Sequence, residues 1–189
     1  EETYFHTLMQ TNHQPLPNDH NDKLEMVIFH SSDDYVNYSG TLFGNPTNNG
    51  GIYLEGDPTD VNNQPRFCAY EAEWLRPDFQ IWNLNHEYTH YLDGRFDMYG
   101  DFDAGVSTPT IWWIEGFAEY VGASRIAGNR VIFDAAVRAA RSNGPADPLP
   151  LDRMLASSAA DFHGADARSQ YMTAWMLMRQ LLRAPAAAS

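Results

Sequence analysis

The chain has 189 residues with a formal net charge of −13; 43% of its residues are apolar and 13% are aromatic. This composition fits a folded domain, or two small subdomains, with a sizeable core, and argues against disorder. The acidic balance disfavours nucleic acid and anionic membranes as partners, and no run approaches the ~20 apolar residues needed to span a bilayer.

Taken in chain order, the opening EETYFHTLMQ and the closing RAPAAAS read as cuts in a longer chain. LEMVIFHS (24–31) is a short apolar run with a β-branched centre, expected as a buried strand. Ser32 is expected to cap a helix through DDYVNYSGTLFG, with acidic residues in its first turn. NPTNNGG (45–51) is dense in turn formers. GIYLEG (51–56) reads as a short strand and DPTDVNNQP as loop. RFCAYEAEW (66–74) alternates and reads as another strand. It carries the single cysteine, Cys68, which has no internal disulfide partner and is expected to be a small buried residue.

Pro77 fits a first helical position, which predicts a helix from there to about Asp93 with Gly94 as its stop. Residues 95–108 read as Gly- and Asp-rich loop. A second helix is expected from Thr108-Pro109 to about Ala123, a third over 129–144, proline-rich loop over PADPLPLD, and a last helix from about Asp166 to Arg183. The strands thus fall in the first half and the helices in the second. This predicts an α+β chain with a sheet subdomain over 1–93 and a helical subdomain over 94–189. A cleft is expected where the two meet.

The helix at that junction carries HEYTH (86–90). At 3.6 residues per turn His86 and His90 project from one face, a spacing that lets two imidazoles reach one cation at about 2.0–2.1 Å. Ile81, Leu84, Tyr88 and Tyr91 form a stripe on roughly the opposite side. Glu87 lies beside the histidine face, where it can take a proton from an activated water. Two solvated or hydrogen-bonded histidines beside a surface glutamate are the bland alternative, because the motif is short. A third ligand favours the metal. In WWIEGFAEYV (112–121), Glu115 and Glu119 are four apart and share a face, while Ile114, Ala118 and Val121 supply a separate core stripe. Glu115 is the candidate third ligand, and Glu119 the acceptor that fixes a ligating imidazole's orientation. A solvated acidic face is the alternative for this pair.

HEYTHYLDGRFDMYG followed by WWIEGFAEYV resembles the peptidase domain of the bacterial collagenases, in particular the Vibrio-type branch. These are zinc metallopeptidases of the gluzincin group. The resemblance extends from about LEMVIFHS to the last helix and is densest over 86–121. It implies a thermolysin-like architecture with the HExxH helix between a small mixed sheet and a helical part. It implies His86, His90 and Glu115 as zinc ligands and Glu87 as base and proton shuttle. GGIYLEG resembles the family's edge strand above the zinc, which gives Gly50, Gly51, Ile52 and Tyr53 a main-chain role toward an extended substrate. Glu55 matches a position that helps hold calcium in clostridial relatives, with carbonyls near Phe96 and Met98 as its neighbours. Tyr171, in YMTAWMLMRQLLR, matches a residue expected to donate to the oxyanion. Tyr171, Ala174, Trp175, Met178 and Leu182 also make an ordinary core stripe.

Two departures stand beside the resemblance. The 95–108 loop is shorter than in clostridial members, and the chain carries neither an activator domain nor collagen-binding domains. The expectation is therefore a secreted, monomeric zinc endopeptidase core, with calcium as a further ion, belonging to a larger multidomain chain and cutting collagen- or gelatin-like polypeptides. The rivals are a non-catalytic matrix-binding domain with a structural zinc, and a gluzincin peptidase of other specificity, such as an aminopeptidase or oligopeptidase. His6, His13, His20, His30 and His163 show no ligand spacing to one another, and Asp57, Asp60 and Asp101 read as solvated loop charges.

Overall fold

A computed structural model describes residues 1–98, 100, 102–125, 149–164 and 167–182. The chain is mixed α and β and divides into two compact units, Glu1–Asp101 and Phe102–Ser189. The helix expected over 129–144 lies outside the described residues.

The first unit is built on a three-stranded sheet of order β1-β3-β2, from β1 (Glu25–Phe29), β2 (Ile52–Leu54) and β3 (Arg66–Tyr70). β1 runs parallel to β3, with Val27 opposite Cys68, and β2 runs antiparallel to it, with Tyr53 opposite Phe67. Only the central strand is buried as a core strand should be: Phe67, Cys68 and Ala69 are all 0% exposed. β1 was expected to be buried but is half-exposed, because it is an edge of the sheet and its Glu25 and Met26 end faces solvent. Cys68 is a buried free thiol, and desolvation raises its pKa, so it is an inert packing residue.

An N-terminal helix that the sequence did not announce, α1 (Glu2–Met9), buries Phe5 in this unit. The next helical segment, α2 (32–43), begins and ends as α-helix and widens to π geometry over Tyr35–Ser39. Its cap is Ser31, not the expected Ser32: the Ser31 hydroxyl accepts the Asp34 N–H at 3.0 Å. Ser32 instead donates its N–H and hydroxyl to the Glu73 carboxylate, at 2.8 and 3.0 Å. The strand expected over 66–74 stops at Tyr70, and Glu73–Leu75 forms a short 3-10 turn.

Helix α3 (Leu84–Phe96) carries HEYTH. It starts seven residues after Pro77. The stretch between is tied to the end of β3, where Ala72 N–H donates to the Gln80 carbonyl, Trp82 N–H donates to the Tyr70 carbonyl, and Glu71 bridges Ile81. Residues spent on these sheet-like bonds are unavailable to a helix. Ile81 therefore does not belong to the helical stripe. The helix buries Leu92 and Thr89 completely and Tyr91 nearly so, while Tyr88 is only half-buried. Gly94 is not its stop; the helix runs on to Phe96, and Arg95 pairs with Asp19 and Asp22 at 2.8 and 2.7 Å.

In the second unit, the expected loop contains a short helix, α4 (Phe102–Ser107). Helix α5 (Ile111–Arg125) buries Ile111, Ile114, Phe117, Ala118 and Val121, which includes the whole predicted stripe. Two five-residue helices, α6 (Leu151–Leu155) and α7 (Ala159–His163), precede α8 (Ala167–Leu181). A capping box closes the start of α7, with Ser158 and Asp161 satisfying one another's backbone N–H groups. α5 and α8 pack closely because Gly116 has no Cβ: one placed there would lie 2.9 Å from the Ala174 Cβ and 3.0 Å from its carbonyl carbon and oxygen. Ala174, Trp175 and Met178 are buried on the predicted face of α8, and Tyr171 and Leu182 are half-buried.

Candidate metal centre

Helix α3 buries His86, Glu87, Thr89 and Asp93 as well as its apolar residues. Polar groups are placed in such positions only where their hydrogen-bonding or ligating capacity is used. Thr89 and Glu87 each have a partner on their own helix or its cap. The Thr89 hydroxyl donates to the Asn85 carbonyl at 2.7 Å. The Glu87 Oε1 accepts from the Asn83 side-chain amide at 3.1 Å. Asn83 sits at the helix start with φ 61°, a left-handed conformation that asparagine tolerates better than most residues.

The Nε2 atoms of His86 and His90 are 3.0 Å apart, with the rings nearly perpendicular at 87°. A tetrahedral cation with nitrogen ligands at about 2.0–2.1 Å holds them roughly 3.3 Å apart, so a small outward shift of either ring fits one between them. Glu115 on α5 is buried, at 7% exposed. One ligand atom from each of His86, His90 and Glu115 lies within 4.8 Å of the others, so the three form a group that could hold a metal ion. Two imidazoles and a carboxylate suit zinc. Glu119, one turn further along α5, is half-buried.

The expected substrate strand is β2, and it is an edge strand: β3 takes one of its sides. Tyr53 turns inward, its ring meeting Tyr91 of α3 edge-on at 6.1 Å. The glycines before the strand have an internal reason to be glycine. A Cβ on Gly50 would lie 2.5 Å from the Trp82 Nε1, and Gly51, at φ 151°, would press on Ala69 and the Cys68 carbonyl at 3.3 Å. Glu55, just past β2, is buried at 7% exposed and lies against α3, where a Cβ on Gly94 would overlap its Oε1. Tyr171 meets Phe162 edge-on at 5.0 Å.

Asp57 and Asp60 are exposed, as expected, and each accepts from the backbone N–H two residues on. The remaining histidines are not all solitary. The His6 and His13 rings lie 3.7 Å apart, and with Glu2 they form a second group whose ligand atoms lie within 4.8 Å of one another. The helix ends at Met9, between them, and the contact is made across the turn that follows, where Gln10, Asn12 and His13 take positive φ.

The collagenase family model matches residues 1–184. A microbial collagenase of Vibrio alginolyticus is 54% identical over 124 residues, covering 64% of this chain and 15% of that protein. Microbial collagenases of Vibrio vulnificus and Vibrio parahaemolyticus are 48% and 50% identical over 122 residues, again covering 64% of this chain and 15% of theirs. The chain thus spans about 15% of the length of these curated relatives. Among the described residues, no helix is long and apolar enough to cross a membrane.

Proposed function

The chain belongs to the collagenase family of peptidases, and from that premise we propose that it is the zinc-dependent endopeptidase core of a larger secreted collagenase, acting on collagen- or gelatin-like polypeptides. The observation that carries this reading is the approach of His86, His90 and Glu115 to one another, with the buried Glu87 next to His86 on the same helix. A purely structural metal site has no use for that glutamate. The reading also takes the architecture as thermolysin-like, with α3 as its HExxH helix.

His86, His90 and Glu115 would hold the ion, and Glu119 would accept the free N–H of a ligating ring. Zinc, when bound, supplies a Lewis acid for the scissile carbonyl and a water whose pKa is lowered to about 7. Glu87 takes a proton from the attacking water and returns it to the leaving amine nitrogen. The Asn83 amide holds the Glu87 carboxylate in place for both transfers. The free side of β2, at Ile52 and Tyr53, receives an extended substrate by main-chain hydrogen bonds. Tyr171 donates to the oxyanion, and Glu55 contributes to a calcium site. The scissile bond is one that precedes glycine.

The test is hydrolysis of a quenched gelatin-like peptide by the purified chain, before and after chelation, with zinc restored. Activity should vanish with chelator and return with zinc. Glu87→Gln should retain zinc and lose at least ~100-fold in turnover, the usual scale for a general base. Full activity in that variant removes Glu87 as the base. A peptide that zinc-loaded wild type binds but never cuts would favour the matrix-binding alternative.

A further inference from the structure

A second set of metal-type donors is assembled where α1 turns back on itself. Glu2 and His6 are one helical turn apart. Gln10, Asn12 and His13 then all take positive φ, at 55°, 52° and 57°. The resulting turn lays the His13 ring over His6, with centroids 3.7 Å apart and planes at 42°. One ligand atom each from Glu2, His6 and His13 lies within 4.8 Å of the others.

His6 is the informative member. It is 5% exposed, with the Phe5 and Phe96 rings edge-on around it at 5.5 and 4.6 Å. The Thr11 hydroxyl oxygen lies 2.5 Å from its Nδ1. With the Nδ1–H donating there, Nε2 carries the lone pair. That Nε2 is buried and makes no hydrogen bond, and the nearest carboxylate oxygen, Glu2 Oε1, is 3.7 Å away. An imidazole oriented through one nitrogen, with the other left bare among ligand-type groups, is the arrangement of a metal ligand. Burial and the neighbouring His13 both lower the His6 pKa.

We propose that Glu2, His6 and His13 bind a zinc-type divalent cation, and that this ion fastens residues 1–13 against the C-terminal end of α3. Two imidazoles and one carboxylate suit zinc better than calcium or magnesium, which prefer all-oxygen sets. Glu2 and His13 are exposed, so they can close on a cation that draws its donors to roughly 3.3 Å apart. This site shares no residue with His86, His90 and Glu115 and does not depend on the catalytic reading.

The experiment is zinc stoichiometry by equilibrium dialysis and metal analysis on wild type, His13→Ala, His90→Ala and the double variant. Circular dichroism checks that each is folded. His13 is exposed, so its replacement leaves the fold in place. Wild type should hold two ions per chain, each single variant one, and the double variant none. In the His90→Ala background, zinc should raise the melting temperature, and His13→Ala should abolish that rise. Equal zinc content in wild type and His13→Ala, or a zinc-induced rise that survives His13→Ala, overturns the proposal. If His90→Ala fails to fold, the comparison of wild type with His13→Ala alone still decides it.

Discussion

Asn83 holds Glu87 at both ends: its side-chain amide donates to Glu87 Oε1 at 3.1 Å, and its carbonyl accepts the Glu87 backbone N–H at 3.1 Å. The side-chain bond can be removed without disturbing the backbone one. Asn83→Gly keeps the φ of 61° accessible and deletes only the amide. A hydrogen bond to a charged group contributes about 1.5–3 kcal/mol, so turnover of a gelatin-like peptide should fall roughly 10- to 100-fold. KM and zinc content should stay unchanged. A drop in melting temperature with normal turnover would mean the amide only stabilises the helix start.

Gly94 leaves the space that the Glu55 carboxylate occupies. Gly94→Ala gains about 0.8–1 kcal/mol of helix propensity and displaces a buried side-chain end, so net stability should change little. If Glu55 serves calcium, the variant should lose the rise in melting temperature that calcium gives wild type, as should Glu55→Gln. An unchanged calcium response in both would take Glu55 out of that role.

The contact at Gly116 is of another kind, because the groups a Cβ would strike include the Ala174 backbone. Backbone cannot swing aside as a carboxylate can. Gly116→Ala should therefore destabilise the chain by about 1–3 kcal/mol despite the better helix former. A lowered midpoint in urea unfolding, with an unchanged slope, is the expected result.

Glu71 accepts from Arg76 Nε and Nη2 at 3.1 and 2.7 Å, and these bonds hold its carboxyl below the usual range. A depressed native pKa stabilises above the unfolded value and is lost as pH falls through the native one. Glu71→Gln should thus lower the melting temperature most above about pH 5, with the gap from wild type closing below about pH 4. A gap that is constant across that range would mean the ion pair contributes nothing.

What could be read ahead of the structure followed helical periodicity. His86 and His90 approach each other, and Ile114, Ala118 and Val121 are buried, because i, i+4 spacing translates directly into one face. The failures came where a local signal met a tertiary demand. Pro77 is a fair helix start, but bonding of Gln80 and Trp82 to the sheet delays the helix to Leu84. Gly94 looks like a stop, yet its missing side chain serves a close approach. Ser32 is a fair cap on paper, but Glu73, far along the chain, claims it, and Ser31 caps the helix instead. The His6–His13 contact depends on three positive φ angles at non-glycine residues, which residue type does not announce.

β2 is only three residues long. At about 3.3 Å per residue, a polypeptide laid along its outer rim would meet roughly a nanometre of ladder. With each backbone bond contributing about 0.5–1.5 kcal/mol net, such a guest would grip loosely and let go quickly. The same brevity guards against copies of the chain zipping rim to rim into aggregates. Turnover and solubility would then have a common origin in a strand too short to be sticky.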